Sequence, residues 1–376
     1  VEARIHLFFF GREQRQPDSV HHNVLTREEH MKRGYLVSLV GLFLLCSIIS
    51  NPVEAAEKLE SVLVVFPSPK AVSHSPFFIA EKLGYFEKEG LKMEWTTIPG
   101  GLEPQKAVAM GKAQFTFPAP SSLIVARQGQ LPVRSVYALR QKWIFGFAAM
   151  KSSNIKTMAD LKGKTIGGIS ESAGFIAKLM IVGSKDLTVS DITYQVVGAN
   201  MAGPLAAGKI DAIYCWDTLF EQYKRQGLDV VWISGPEFDD YQSNVLSTSE
   251  QLMKEKPNMI QGFLRAVTKG VVFSIENPKA TLKIIGESDP QLTKDLDKAM
   301  DELKIANADF QSKLQAQHGF GYHSAKSWTL QAEGLKKLGE ITKVLSGDQY
   351  FTNEFIAAAN NFDVKAVRQE AQKYNK

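Results

Sequence analysis

Ser61-Val62-Leu63-Val64-Val65-Phe66, the polar stretch from Pro67 to Pro76, and Phe77-Phe78-Ile79-Ala80-Glu81-Lys82-Leu83 together decide the fold class. A short apolar, β-branched run bounded by turn residues reads as a buried strand. The run after it reads as a helix that Gly84-Tyr85-Phe86 ends, and Gly90 caps a further turn before a strand over 92–98. Strand, helix and strand joined by short connections are the unit of layered α/β proteins. Outward from this unit the pattern repeats. Gly100-Gly101 turns into a helix over 104–110; strands follow over 114–117, 133–139 and 145–150. Between the first two of these strands lies a helix over 123–128, with Ser121-Ser122 as its expected N-cap.

A second series opens near Asn154 with a short helix to Leu161 and a strand over 165–169. Ser170–174 lead into a helix to 182, followed by strands over 192–197, 212–214 and 228–233 and helices over 201–207 and 219–226. A return strand is expected at 245–248. After Glu250 the pattern is almost wholly helical, over 259–275, 278–285, 291–305 and 326–345. Two α/β series and a helical tail predict two lobes, with crossings near 140–145 and 234–245.

Composition narrows the function classes. Of 376 residues, 44 are Lys or Arg and 40 Asp or Glu, so the net charge is only +4. No basic block accompanies it, which argues against a nucleic-acid partner. Two cysteines exclude a disulfide-rich scaffold and a four-thiolate zinc site.

Met31-Lys32-Arg33 places cations before an apolar run over 35–49; Asn51-Pro52 breaks the run and Val53-Glu54-Ala55 follows. Charged start, apolar middle and a V-x-A end describe a secretory signal peptide over 31–55. The run is short for a ~30 Å hydrocarbon core, which takes about 20 residues, so an uncleaved anchor is the weaker alternative. Cys46 does not make a lipoprotein site, because Leu45 stands where a small residue belongs. Residues 1–30, with His6, His21, His22 and His30, read as an upstream extension. The working chain is then 56–376, with Cys215 as its one thiol and no internal disulfide.

Motifs for chemistry are mostly absent. Gly163-Lys164-Thr165 lacks the earlier glycine of a phosphate loop and precedes a strand. No H-E-x-x-H or G-x-S-x-G occurs. His318 and His323 read as surface histidines, and Cys215 as a small apolar residue ending a buried strand. No metal, cofactor or catalytic residue is expected. What the chain offers is a ring of small polar turns at 68–76, 100–101, 119–122, 170–174 and 198–201, placed where α/β sheets bind ligands.

Ser75-Pro76-Phe77-Phe78-Ile79-Ala80-Glu81-Lys82-Leu83-Gly84-Tyr85-Phe86-Glu87-Lys88-Glu89-Gly90-Leu91 resembles the opening of the substrate-binding proteins of sulfonate, taurine, nitrate and thiamine-pyrimidine importers. The resemblance continues through Met110-Gly111-Lys112-Ala113, Met158-Ala159-Asp160-Leu161-Lys162-Gly163-Lys164-Thr165 and Leu205-Ala206-Ala207-Gly208-Lys209-Ile210-Asp211-Ala212. It implies a type II, two-lobed Venus-flytrap periplasmic binding protein with a helical C-terminal part. The lobes would be 56–144 with 246–376, and 145–245. It also implies a monomer that carries a small solute to a permease and an ATPase on separate chains, outside the cytoplasm.

On that frame the expected ligand contacts are Ser73, His74, Ser75, Gly101, Ala119 and Ser121 from the first lobe. Ser170, Ser172, Asn200, Trp216 and Asp217 face them from the second, with Gln141, Lys142 and Trp143 near a crossing. Trp143 and Trp216 suit a planar ligand portion. Serines at helix starts suit a sulfonate, carboxylate or nitrate, and a small organic anion is the expected solute; Asp217 and Glu171 would instead suit an aminopyrimidine. The rival class is an enzyme on the same fold, a desulfinase or a pyrimidine synthase. The synthase's cysteine-rich motif is absent, and a desulfinase would need Cys215 in the cleft.

Overall fold

Ten strands form two five-stranded sheets in a computed structural model that describes residues 59–374, apart from Lys185, Asp186 and the side chain of Ser172. The expected leader and the residues before it lie outside the described residues. The first strand, β1 (Glu60–Phe66), is buried at Val62, Val64, Val65 and Phe66, so both its faces are covered, as an inner parallel strand requires. It pairs in parallel with β2 (Leu91–Thr97) and β3 (Phe115–Thr116). Antiparallel to β3 runs β10 (Leu246–Ser249), which also pairs with β4 (Val133–Tyr137), giving the order β2-β1-β3-β10-β4.

The second sheet repeats this order with its own strands. Parallel β7 (Ile192–Val196), β6 (Lys164–Gly168) and β8 (Ala212–Trp216) are followed by antiparallel β5 (Phe145–Met150) and then β9 (Val230–Ile233). β5 and β10 are each the first strand made after the chain crosses between sheets.

The crossings run side by side. Arg140 N–H donates to Asn244 O at 3.0 Å, and Ser243 Oγ donates to the Lys142 carbonyl at 2.6 Å. Two buried amides tie them to the tail: Gln242 Nε2 donates to Gln141 Oε1 and to Tyr322 O, while Gln242 Oε1 accepts the Ser324 N–H at 2.7 Å. Ser327 Oγ accepts from Gln242 N–H, and Gln331 Nε2 donates to Gln242 O. A buried polar network is tolerated when its members are satisfied, and it then fixes one geometry.

The tail is helical because its apolar residues fall on single faces. Helix Pro257–Glu276 buries Phe263, Leu264, Val267 and Val271 against the first sheet and against helix Ser75–Lys82. Helix Ala325–Lys337 lies on Pro120–Gln128 from the first half and on Glu171–Gly183 from the second.

Three local expectations need correction. The helix expected at 123–128 starts earlier, as Pro120–Gln128 with Ala119 at the N-cap; Ser121 and Ser122 are buried in its first turn. Proline at the first helical position, with φ preset and no N–H to leave unpaired, explains the shift. The helix expected over 326–345 ends at Lys337, two residues before Gly339, which takes a left-handed φ of 74°. The helix expected over 291–305 begins only at Leu296, where the Asp295 carboxylate caps it from Lys298 N–H.

Gly270 sets the closest helix approach: a Cβ there would stand 2.1 Å from the Pro76 carbonyl oxygen. That neighbour is backbone and cannot swing aside. Gly270→Ala is therefore expected to destabilise the protein by about 1–3 kcal/mol or more through overpacking. Urea unfolding midpoints of the two proteins check this, and an unchanged midpoint would contradict so close a contact.

Candidate functional site

The carboxyl ends of strands from both sheets point at one cavity of about 380 Å³. β1 ends there in the loop Pro67–His74, β3 in Phe117 and Ala119, β6 in Ile169 and Ser170, and β8 in Tyr214 and Trp216. This is where an α/β sheet leaves helix N-termini and loop N–H groups unpaired, which is why ligands gather there.

The loop after β1 is held from two sides. Arg140 Nη2 donates to Ser73 O at 3.0 Å, and Ser73 N–H donates to Glu302 Oε1 at 3.3 Å. Arg140 Nη1 also donates to Asp309 Oδ2 and to Ala306 O, both at 3.1 Å. Three of the five guanidinium N–H groups are thus committed to the protein, while the buried Nε has no partner among the described residues. Glu302 Oε2 accepts from Arg225 Nη2 at 3.4 Å. Lys70 also lines the cavity, and its ammonium sits 4.6 Å from the centre of the Trp95 ring and 5.7 Å from that of Phe78.

His74 lies among rings, with Phe66 at 4.7 Å and Phe117 at 6.0 Å. Its Nδ1 accepts the Ala71 N–H at 3.2 Å, which leaves the proton of the neutral ring on Nε2. Burial, then the charges of Arg140 and Lys70, pushes its pKa down to about 3. It is a neutral imidazole at any ordinary pH.

Of the sequence-predicted contacts, Ser73, His74, Gly101, Ala119, Ser170, Asn200 and Trp216 line the cavity together. The others sit elsewhere. Ser75 is buried and accepts from Ser274 Oγ at 3.0 Å; Ser121 is buried in its helix, and its neighbour Ser122 reaches the cavity instead. Trp143 is packing: it stacks on Phe238 and meets Phe145 and Tyr241 edge-on. Gln141 belongs to the crossing network, Lys142 is exposed, and Asp217 turns from the cavity towards Asp309. The side chain of Ser172 lies outside the described residues.

Sequence reasoning missed Lys70, Phe117, Arg140, Tyr214, Asn244 and Glu302 as lining residues. Tyr214 was available, since it shares a strand face with Trp216 two residues on. Cys215, between them, faces the opposite side and packs with Ala148, Leu205 and Ile213, and burial raises its thiol pKa well above the ordinary value. His323 is a correction: it is 1% exposed, not on the surface. Its Nδ1 accepts from Trp328 Nε1 at 3.3 Å and its Nε2 meets Ser135 Oγ at 3.1 Å, so both ring nitrogens are satisfied inside. Burial pushes its pKa down to about 3. Among the described residues no group of acidic, histidine and cysteine side chains could hold a metal, and no helix is long and apolar enough to cross a membrane.

Residues 71–281 match the family model described as NMT1/THI5 like, and the chain belongs to that family. It is 25% identical to the riboflavin-binding protein RibY of Chloroflexus aurantiacus, over 80% of this chain and 88% of that one. It is 24% identical to the formylaminopyrimidine-binding protein of Halalkalibacterium halodurans, over 79% and 92%. The 4-amino-5-hydroxymethyl-2-methylpyrimidine phosphate synthase THI5 of Saccharomyces cerevisiae is also 24% identical, over 81% and 89%. The family thus holds binding proteins and enzymes. Among solved structures, the periplasmic nitrate-binding protein NrtA of Synechocystis PCC 6803 superposes with TM-score 0.64 at 12% identity, covering 84% of this chain and 98% of that one. The ligand-binding component of an ABC-type import system from Staphylococcus aureus gives 0.63 at 12%, over 81% and 100%. The aliphatic sulphonate binding protein SsuA of Escherichia coli gives 0.59 at 15%, over 77% and 91%. The fold is that of the two-lobed periplasmic binding proteins.

Because their rings are neutral and enclosed, His74 and His323 are expected to show imidazole NMR signals that do not move between pH 8 and pH 5. A titration midpoint near the ordinary histidine value of about 6.5 at either ring would refute the buried environments described.

Proposed function

We propose that this member of the NMT1/THI5-like family captures a flat heteroaromatic solute, pyrimidine- or flavin-like, and delivers it outside the cytoplasm to an ABC permease and its separate ATPase. The observation that carries the reading is the wall of the cavity. Phe117, Phe145, Tyr214 and Trp216 supply ring faces, Ile144, Ile169 and Met201 supply aliphatic surface, and Asn200, Asn244 and Gln222 supply amide edges. Ring faces take a planar body, and amides, which both donate and accept, take its ring nitrogens and carbonyls. A volume of about 380 Å³ is far more than a nitrate ion fills. The names of three of the curated relatives support the same class, since those three bind or make pyrimidines or flavins; another, 24% identical, is named a putative aliphatic sulfonates-binding protein.

In this reading the two sheets are the cores of two lobes, 59–144 with 246–374, and 145–245. The solute bridges them and favours the closed form, as hinge closure requires. Delivery to a permease rests on likeness to import-system components of this fold.

A small organic anion is the second reading, and Lys70 favours it: this lysine lines the cavity and its ammonium stands over the Trp95 ring. Arg140 favours it less, because three of its five N–H groups are committed to Asp309, Ala306 and Ser73. An enzyme that uses Cys215 as nucleophile is not supported, because that thiol points away from the cavity.

Thermal shift against riboflavin, 4-amino-5-hydroxymethyl-2-methylpyrimidine, taurine and nitrate separates these readings, since a specific ligand raises the melting temperature by mass action. The heterocycles are expected to do so and the two anions are not; stabilisation by taurine or nitrate alone would overturn the proposal. Trp216→Ala is expected to weaken heterocycle binding about tenfold or more in calorimetry, a loss of about 1.4 kcal/mol. Cys215→Ala is expected to leave affinity unchanged. A compound that is consumed by the wild type and not by Cys215→Ala would establish the enzyme instead.

A further inference from the structure

Two helices close one flank of the cavity, and their facing carboxyls form a cluster that solute binding alone does not explain. Helix Leu296–Asp309 belongs to the core of the first half through Ala299, Leu303 and Ala306. Helix Asp217–Arg225 follows directly from β8 of the second sheet. At one end of the contact Arg225 meets Glu302, and Lys298 Nζ donates to the Arg225 carbonyl at 3.1 Å. At the other end the carboxyl of Asp217 hydrogen-bonds the carboxyl of Asp309, which also takes Arg140.

Two carboxylates at hydrogen-bond distance in a water-poor site cannot both be ionised, so one O–H bridges them. The charges say the same. With one shared proton, Asp217, Asp309 and Arg140 sum to zero; without it they leave a buried negative charge. The other charged groups facing the pair are few. Lys142 acts on Asp309 from the crossing, Glu302 and Arg225 pair with each other further along the two helices, and His74 is neutral. Asp309 belongs to the first half and Asp217 to the second, so the shared proton spans the flank.

We propose that closing the cavity takes up one proton at the Asp217–Asp309 pair, so that capture of the solute is favoured as the pH falls. The inference rests on the reading of capture by closure. When the halves part, each carboxyl is hydrated and its pKa returns to the ordinary range near 4. When they close, burial and then mutual repulsion raise the pKa of Asp217, with Arg140 pulling the other way. The closed form therefore binds more protons than the open one. Its advantage is complete below the open-state pKa and is lost as pH rises through the raised pKa of the pair. Within that window the closing equilibrium changes by up to about tenfold per pH unit.

Small-angle X-ray scattering of the full chain without solute, from pH 8.5 to pH 5, tests this apart from any question of ligand. The wild type is expected to become more compact as pH falls. Asp217→Asn supplies an amide N–H in place of the shared proton and is expected to be compact at every pH. Should that variant fail to fold by circular dichroism, Asp309→Asn, whose amide donates to Asp217 in the same way, replaces it. Asp301→Asn, at an exposed carboxyl of the same helix that pairs with Lys304, leaves the buried pair intact and is expected to keep the pH response. A wild-type radius of gyration that does not change with pH, or an Asn variant that follows the wild-type curve, overturns the proposal. Neither result bears on which solute binds, which the thermal-shift series decides separately.

Discussion

The pair of chain crossings between the sheets is the constraint on which everything else depends. Each crossing delivers one antiparallel strand to a sheet that is otherwise parallel on that side, and each lies against the other through the Arg140–Asn244 and Ser243–Lys142 bonds. The Gln141–Gln242 amides then fasten both to the tail. Because the crossing carries Arg140 and Asn244, it also forms part of the cavity wall. If the proposed closure turns about these crossings, the hinge lines the site and cannot bend without altering it, so opening and solute contact would be one event. The buried amides make that bend specific: rotating the crossing breaks donors and acceptors whose replacement partners would have to be water.

The cavity works by division of labour. Two of its charged groups serve the protein's own loop: Arg140 fixes the Ser73 peptide from its carbonyl, and Glu302 fixes the same peptide from its N–H side. What the cavity offers a guest is mainly ring face and amide edge, with the Lys70 side chain beside them. This selects by shape and hydrogen-bond pattern more than by net charge, and a site of that kind rejects a guest lacking the matching polar edge because buried amides are then left unpaired.

How much of this was legible follows from where each residue sits. Strand and helix order was readable because apolar periodicity is local, and Gly84, Gly90 and Gly163 adopt the positive φ their turn positions suggested. Ser73, His74, Asn200 and Trp216 were readable because they end a strand or lie in the loop that follows one. Ser75 and Ser121 lie in that same stretch of the chain, but helical geometry turns them into the core within one or two residues. Arg140, Asn244 and Glu302 reach the cavity from a crossing and from a distant helix, and no spacing in the sequence announces that. His323 misled for a related reason: its partners Ser135 and Trp328 come together only in the folded chain.

β10 lies between β3 and β4, bonded to both. The first sheet therefore stays split, with two unpaired inner edges, until residues 246–249 have been made and brought back across the intervening second sheet. Such long-range pairing folds slowly and leaves strand edges exposed in the meantime. An N-terminal half synthesised alone would be an unfinished sheet and a candidate for aggregation, not a stable domain.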